Sequence, residues 1–285
     1  MLHKVWFITG TSRGFGREWA IAALERGDKV VATARKVDTL KDLADKYGDA
    51  ILPLELDVTN RSAVTAAVDQ GYEHFASLDI VINNAGYGLF GMVEEITEEQ
   101  ARAQMETNFF GALWVTQAAL PHLRAQKSGH VIQVSSIGGI TAFPGLGLYH
   151  ASKWALEGFS QALAQEVRTF GINVTLIEPG GYETDWGGSS AAHTTELPAY
   201  EALRSAVSNA RKAAASRRGD PAATRQAILE IVDAERPPLR VFFGEAPLGM
   251  AKSDYENRLK TWEEWQRVSL AAQGSNQSSV AKNQA

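Results

Sequence analysis

The chain has no cysteine, which excludes disulfides, thiolate metal sites and cysteine nucleophiles and suits a reducing compartment. It has no excess of one charge either. Its 28 Lys and Arg stand against 33 Asp and Glu, a net charge of -5 with both signs interspersed, so it lacks the basic stripe of a nucleic-acid binder. No apolar run approaches the roughly 20 residues needed to span a bilayer. The opening MLHKVWFITG has neither the h-region nor the cleavage site of a secretory signal. The six histidines (His3, His74, His122, His130, His150, His193) are scattered, with no pair at the spacing of a helical metal site, so no metal is expected. These absences predict a soluble, cytoplasmic protein without nucleic-acid or membrane partners.

Short β-rich runs alternate with longer segments of helical period. KVWFIT precedes a helix over 14–26, KVVATA one over 37–46, AILPLEL one over 62–75, and LDIVIN one over 97–123; HVIQVSS precedes one over 148–169, and INVTLIEPG closes the series. The runs are nearly continuous in Val, Ile and Leu, as in strands covered on both faces. This predicts an α/β fold: a Rossmann-like, doubly wound parallel sheet with helices on both faces. With 285 residues, 45% of them hydrophobic, one domain over residues 1–273 is expected. The Gly, Ser, Ala and Thr-rich stretch 185–198 reads as a long substrate loop. Helical segments follow over 199–215 and 221–234, then a strand-like LRVFFG; the polar tail 274–285 reads as disordered.

TGTSRGFG, residues 9–16, lies between the first strand and the first helix, where an open parallel sheet binds dinucleotides. Gly10 suits the tight turn, and Gly14 and Gly16 let backbone approach a pyrophosphate. The spacing is Gly-x-x-x-Gly-x-Gly, and a merely tight connection is the competing reading. The second strand ends VVATARK, with Arg35 where an NAD-binding fold carries an acid that holds the ribose 2′-hydroxyl. Together with Arg13, it predicts NADP(H) over NAD(H), unless both are solvated surface arginines.

YHASK, residues 149–153, places a phenol and an ammonium one helical turn apart on one face. An unperturbed tyrosine has a pKa of about 10, leaving about one phenolate in a thousand near neutrality. A cation about 4 Å away at an effective dielectric near 20 contributes on the order of 4 kcal/mol, roughly three pKa units. The spacing therefore predicts that Lys153, together with the positive charge of an oxidised nicotinamide, brings Tyr149 into the range of acid–base catalysis. The preceding strand ends with Ser135 and Ser136 at the carboxyl edge of the sheet, where a serine hydroxyl can hold a carbonyl oxygen. Asn108, inside a helical segment, suits an apolar interface only if its amide holds water or a backbone group.

With these residues the sequence resembles the short-chain dehydrogenase/reductase family. TGTSRGFG is similar to its cofactor turn, NNAG (83–86) to its fourth-strand motif, Tyr149, Lys153 and Ser136 to its active site, and EPGGYET (178–184) to the segment after its sixth strand. The likeness runs from residue 4 to about 186. It implies that Tyr149 exchanges a proton with the carbonyl oxygen, Ser136 holds that oxygen, Lys153 binds the nicotinamide ribose, and Asn108 helps hold a water chain that replaces the proton. It implies cofactor contacts at Gly10, Ser12, Arg13, Gly14, Phe15, Gly16 and Arg35, and at Asp57 and Val58 beside the adenine. Asn84, Ala85 and Gly86 would follow on the adenosine side, then Tyr149, Lys153, Pro179 and Gly180, with Thr184 at the carboxamide.

VATAR and FPGLGLYHASKWALEGF look most like the NADP-linked carbonyl reductases and 17-beta-hydroxysteroid dehydrogenases, which implies a bulky, hydrophobic ketone or alcohol. The family's habit implies a homo-dimer or tetramer. Trp186 reads either as a cover over the substrate or as an anchor at the base of its loop. Phe143, Leu146 and Leu148 read as pocket wall or core, and His150 as packing. Against the NADP(H)-dependent oxidoreductase stands a non-catalytic NADP(H)-binding redox sensor of the same fold, or an epimerase or dehydratase with tightly held cofactor. The proton-donating tyrosine favours the first.

Overall fold

The computed structural model describes residues 3–274, so the tail expected at 274–285 lies, apart from Gly274, outside the described residues. The chain divides into two compact units, Met1–Pro247 and Leu248–Ala285.

In the first unit the elements run β1 (Val5–Ile8), α1 (Gly14–Arg26), β2 (Lys29–Ala34), α2 (Lys41–Tyr47), β3 (Ile51–Glu55), α3 (Arg61–Phe75), β4 (Ile80–Asn83) and a two-residue β5 (Leu89–Phe90). They continue with α4 (Glu98–Met105), α5 (Gly111–Gln126), β6 (Gly129–Val134), α6 (Gly147–Val167), β7 (Ile172–Pro179), β8 (Ala192–His193), α7 (Glu201–Ala213), α8 (Thr224–Asp233) and β9 (Arg240–Phe243). Two helices, α9 (Pro247–Glu264) and α10 (Gln266–Gln273), make up the described part of the second unit.

Seven strands form one parallel sheet in the order β3-β2-β1-β4-β6-β7-β9. Strand side chains alternate between faces. Trp6 and Ile8 join Trp19, Ile228, Ile231 and Phe243 in one core layer. Phe7 and Val31 join Val64, Val115, Leu163 and Val167 in the other. Both faces are covered, which is why the runs read as continuously apolar. The chain winds outward from β1 to β3 and returns to β4, so the sheet reverses direction between β1 and β4, and a crevice opens at their carboxyl ends.

Two differences between the sequence period and the structure bear on the site. The segment read as one helix over 97–123 is α4 and α5 joined by a π-helical turn, Glu106–Phe110. One residue inserted into an apolar period does not erase it, so the pattern conceals the turn. The loop over 185–198 contains a 3-10 turn, Asp185–Gly187, and β8, which pairs with β5. Ala192 N–H donates to Gly88 O at 2.9 Å and Thr194 N–H to Phe90 O at 3.0 Å.

Candidate active site

The glycine turn is built by close approach. Gly10 and Gly14 have φ of +71° and +60°, a region in which L side chains are strained. A Cβ on Gly16 would stand 2.4 Å from Asn84 Nδ2 and 2.6 Å from Gly10 O. The Asn84 amide donates to Thr9 O and Gly10 O at 2.9 and 3.0 Å, and Thr9 Oγ1 accepts from the N–H groups of Asn84 and Ala85. β4 therefore clamps the turn. Helix α1 starts behind it with no side-chain cap and no acid in its first turn, leaving N–H groups and the positive end of the helix dipole for an anion. The Phe15 ring points away, stacked on Trp19 at 5.4 Å and edge-on to Tyr182 at 4.9 Å, so the backbone of residue 15, not its ring, faces the turn.

Arg35, just past β2, is exposed, and Asp57 accepts from Thr59 N–H at 3.0 Å beside the buried Val58. Gly180 N–H, after Pro179, donates to Phe243 O. Thr184 lies across the turn, its Cγ2 3.7 Å from where a Gly14 Cβ would be. Ser12 is half-buried in the turn. Arg13 has a partner the sequence gives no hint of: its guanidinium is 2.5 Å from the Asp185 carboxylate and 3.2 Å from Ser189 Oγ.

Tyr149 and Lys153 are each only 6% exposed, on one face of α6. The ammonium donates to Val134 O at 2.7 Å and stands 5.9 Å from the centre of the phenol ring. Burial pushes the Tyr149 phenol up to about 12, opposed by its hydrogen bond with Ser136. Burial brings Lys153 down to about 8, opposed by the Glu157 carboxylate. In the protein alone the phenol is thus raised, whereas the helical spacing predicts that it is lowered. The ammonium is directed at a strand carbonyl, and desolvation of the phenolate outweighs its pull.

Of the two serines, the structure turns Ser136 to the tyrosine. Ser135 Oγ is buried on the other side, 2.7 Å from where a Cβ on Gly139 would lie. Ser136 caps the turn Ile137–Gly139, accepting from Gly138 N–H at 3.0 Å. His150 braces the same turn: its Nε2 accepts from Phe143 N–H at 2.9 Å, which leaves the proton on Nδ1 for Gly138 O at 2.8 Å. Burial holds His150 below the usual histidine range, as this neutral tautomer requires.

Asn108 occupies the π-helical turn and is buried. Its Oδ1 accepts from Tyr87 N–H, and its Nδ2 donates to Tyr87 O and Ser152 Oγ. It therefore holds a backbone group at the end of β4. Gly86 is next to it, where a Cβ would be 3.1 Å from Asn108 Oδ1 and 3.7 Å from Lys153 Nζ.

Trp186 packs edge-on against the Tyr149 ring at 4.8 Å and against Phe90 at 5.2 Å, lying over the phenol. Glu95 escaped the sequence reading. Its buried carboxylate accepts from the N–H groups of Met92 and Leu197, from Thr194 Oγ1 and from Arg204. Those donors, Leu197 first, hold it down to about 2. An acid in a polar stretch carries no sequence signal of such a role.

Comparison with known proteins agrees with this geometry. The pattern described as short chain dehydrogenase matches residues 4–195. "Oxidoreductase BOA17" of Botryotinia fuckeliana is 44% identical over 271 residues, which cover 94% of this chain and 99% of that protein. A short-chain dehydrogenase from Streptomyces avermitilis superposes with a TM-score of 0.88 at 37% identity, covering 95% of this chain and 99% of its own. One from Burkholderia cenocepacia, solved in complex with NADP, does so at 0.73 and 26%, covering 92% and 97%.

Proposed function

This chain belongs to the short-chain dehydrogenase/reductase family of nicotinamide-dependent oxidoreductases, and from that premise we propose that it interconverts a ketone or aldehyde and the corresponding alcohol with NADP(H). Tyr149 is the proton donor in reduction and the acceptor in oxidation. The observation that carries this reading is the buried pair Tyr149 and Lys153 with the half-buried Ser136 hydrogen-bonded to the phenol, together with a glycine turn in which a Cβ on Gly16 would collide with Asn84 and Gly10 O.

The crevice suits the dinucleotide on its own geometry. The cradle that a Cβ at Gly16 would fill and the uncapped start of α1 fit a pyrophosphate held by the N–H groups of residues 12–16. Arg13 and Arg35 suit the 2′-phosphate, Asp57 and Val58 the adenine, and Asn84, Ala85 and Gly86 the adenosine side. Tyr149 and Lys153 suit the nicotinamide ribose, and Pro179, Gly180 and Thr184 the carboxamide. When bound, NADP(H) supplies or accepts the hydride and, oxidised, adds positive charge next to the phenol.

The chain's own residues handle the proton. Ser136 donates to the carbonyl oxygen and sets it before the Tyr149 hydroxyl, while His150 keeps the Ser136 turn in place. Lys153, once drawn to the ribose, brings its charge closer to the phenol and favours phenolate. Asn108 fixes the Tyr87 backbone at the mouth of the proton path, where the family resemblance implies a water chain. Trp186, Phe90 and Phe143 make an apolar wall that favours a bulky, hydrophobic substrate of the carbonyl reductase type. We also propose a homo-oligomer built on α5 and α6, where Trp154 of α6 stands 38% exposed.

The test is NADPH consumption with a panel of ketones and aldehydes, repeated with Tyr149→Phe. The variant keeps NADPH binding and loses about 100- to 10,000-fold in kcat/KM. Substantial remaining activity refutes the role of Tyr149. Binding of NADPH without turnover by the wild type selects the redox sensor, and a preference for NADH overturns the cofactor assignment.

A further inference from the structure

Helix α7 carries Arg204 and Arg211 seven residues apart, which places them on one face. Their surroundings differ. Arg204 pairs with Glu95 and Glu196. Arg211 is half-buried, and among the described residues it has neither a carboxylate within 4 Å nor a hydrogen-bond partner. Its guanidinium carbon stands 4.7 Å over the Phe90 ring. Phe90 in turn meets Trp186 at 5.2 Å and stacks on His193 at 5.2 Å, and Trp186 lies 4.8 Å from the Tyr149 ring. An apolar path of two aromatic rings thus joins the reacting phenol to an unpaired cation.

A guanidinium taken out of water without a partner costs free energy. Burial and the nearby Arg218 both lower Arg211 from the ordinary arginine range, and the group still stays charged near neutrality. Its fork of N–H donors matches a carboxylate or phosphate. Among the described residues the one contact found for the group is the cation–π contact of its central carbon with Phe90, which takes up none of those donors.

We propose that Arg211 binds an anionic group at the far end of the substrate, so that this enzyme acts on carbonyl compounds, or the matching alcohols, that carry a carboxylate or phosphate beyond an apolar middle lying along Trp186 and Phe90. The inference rests on the oxidoreductase reading above. In reduction the carbonyl carbon gains the hydride of NADPH, its oxygen gains the Tyr149 proton, and the anionic group is unchanged.

The experiment compares 8-oxo-8-phenyloctanoate, its methyl ester and 7-oxo-7-phenylheptyl phosphate as substrates of the full chain, in the wild type, Arg211→Gln and Arg211→Lys. Calorimetry with 8-phenyloctanoate and 8-phenyloctanamide, with NADP+ present, reads binding without turnover. In the wild type the carboxylate binds at least about tenfold tighter than the amide. Arg211→Gln abolishes that ratio, and lowers the acid-to-ester ratio of kcat/KM by a similar factor, while Arg211→Lys restores part of both. A higher kcat/KM for 7-oxo-7-phenylheptyl phosphate than for the carboxylate identifies phosphate as the anion. Equal binding of carboxylate and amide, or a preference that survives in Arg211→Gln, overturns the inference. Arg211-dependent binding of the carboxylate without turnover of any carbonyl leaves the anion site standing and refutes the oxidoreductase reading instead.

Discussion

The Arg13 guanidinium in the glycine turn lies 2.5 Å from the Asp185 carboxylate at the start of the loop over 185–198. The hydroxyls of Ser190 and Ser189 also hold Asp185 and keep its carboxyl below the usual range, so it stays charged. On the NADP(H) reading proposed above, a 2′-phosphate would compete with Asp185 for this cation. Asp185→Asn is therefore expected to tighten NADPH binding by about two- to fivefold, the scale of an exposed ion pair, and to leave NADH binding alone. Fluorescence titration with both nucleotides checks this, and an equal change for the two shows that Arg13 does not read the phosphate.

Glu95 gathers four donors from the segment over 92–204. Glu95→Ala leaves the Leu197 and Met92 N–H groups without an acceptor and Arg204 with only Glu196. The expected result is faster hydrogen exchange over 192–204 and a higher KM, with exchange over β1 and β4 unchanged. Protection that persists at Leu197 would show that the loop is held by other means.

His130 sets a pH limit. Its Nε2–H donates to Thr175 Oγ1 at 2.8 Å, because the threonine proton goes to Pro238 O at 2.7 Å. Burial, helped by Lys4, holds its pKa down to about 4 from the model-peptide 6.5. Below pH 6.5 the unfolded chain takes up a proton that the folded chain refuses until about pH 4. Stability present above pH 6.5 is thus lost as the pH falls toward 4, by about 1.4 kcal/mol per pH unit and about 3 kcal/mol in total. Urea unfolding at pH 7 and 4.5 measures the loss. His130→Gln is expected to be less stable at pH 7 and to lose less on acidification; an identical loss assigns it to other groups.

Trp186 covers the phenol and rests on Gly88, where a Cβ would be 2.7 Å from the indole. Trp186→Ala is expected to shift kcat/KM toward bulkier ketones by about tenfold, within the range that a few methylenes in a pocket are worth. A substrate ranking that does not move makes the indole packing alone.

What the sequence reveals here is what has a period or a tight local spacing. The strands of the large sheet show as Val and Ile runs because both faces are buried, and α6 shows because Tyr149, Ser152, Leu156, Ser160 and Leu163 recur on one face. Gly10 and Gly14 are legible because their positive φ strains any other residue, and Gly16 because a Cβ there would collide with Asn84 and Gly10 O. Contacts across the fold are not legible in this way. Arg13 and Asp185 are far apart in the chain, Glu95 and Arg211 look like solvated charges, and the π-helical turn at Asn108 hides inside a continuous apolar pattern. The raised phenol was hidden for another reason: spacing along a helix gives the distance between two groups but not the desolvation each suffers.

The pairing of β5 with β8 gives the aromatic cluster of Phe90, Trp186 and Tyr149 a backbone of its own. Gly91 N–H reaches Gly145 O at 3.0 Å, so this small ribbon is also stitched to the stretch that leads into α6. Main-chain bonds are indifferent to which side chains hang from them. The ribbon can thus exchange the groups at Phe90 and His193 while its course past Tyr149 persists, a scaffold on which new preferences can be grafted by replacing two or three residues.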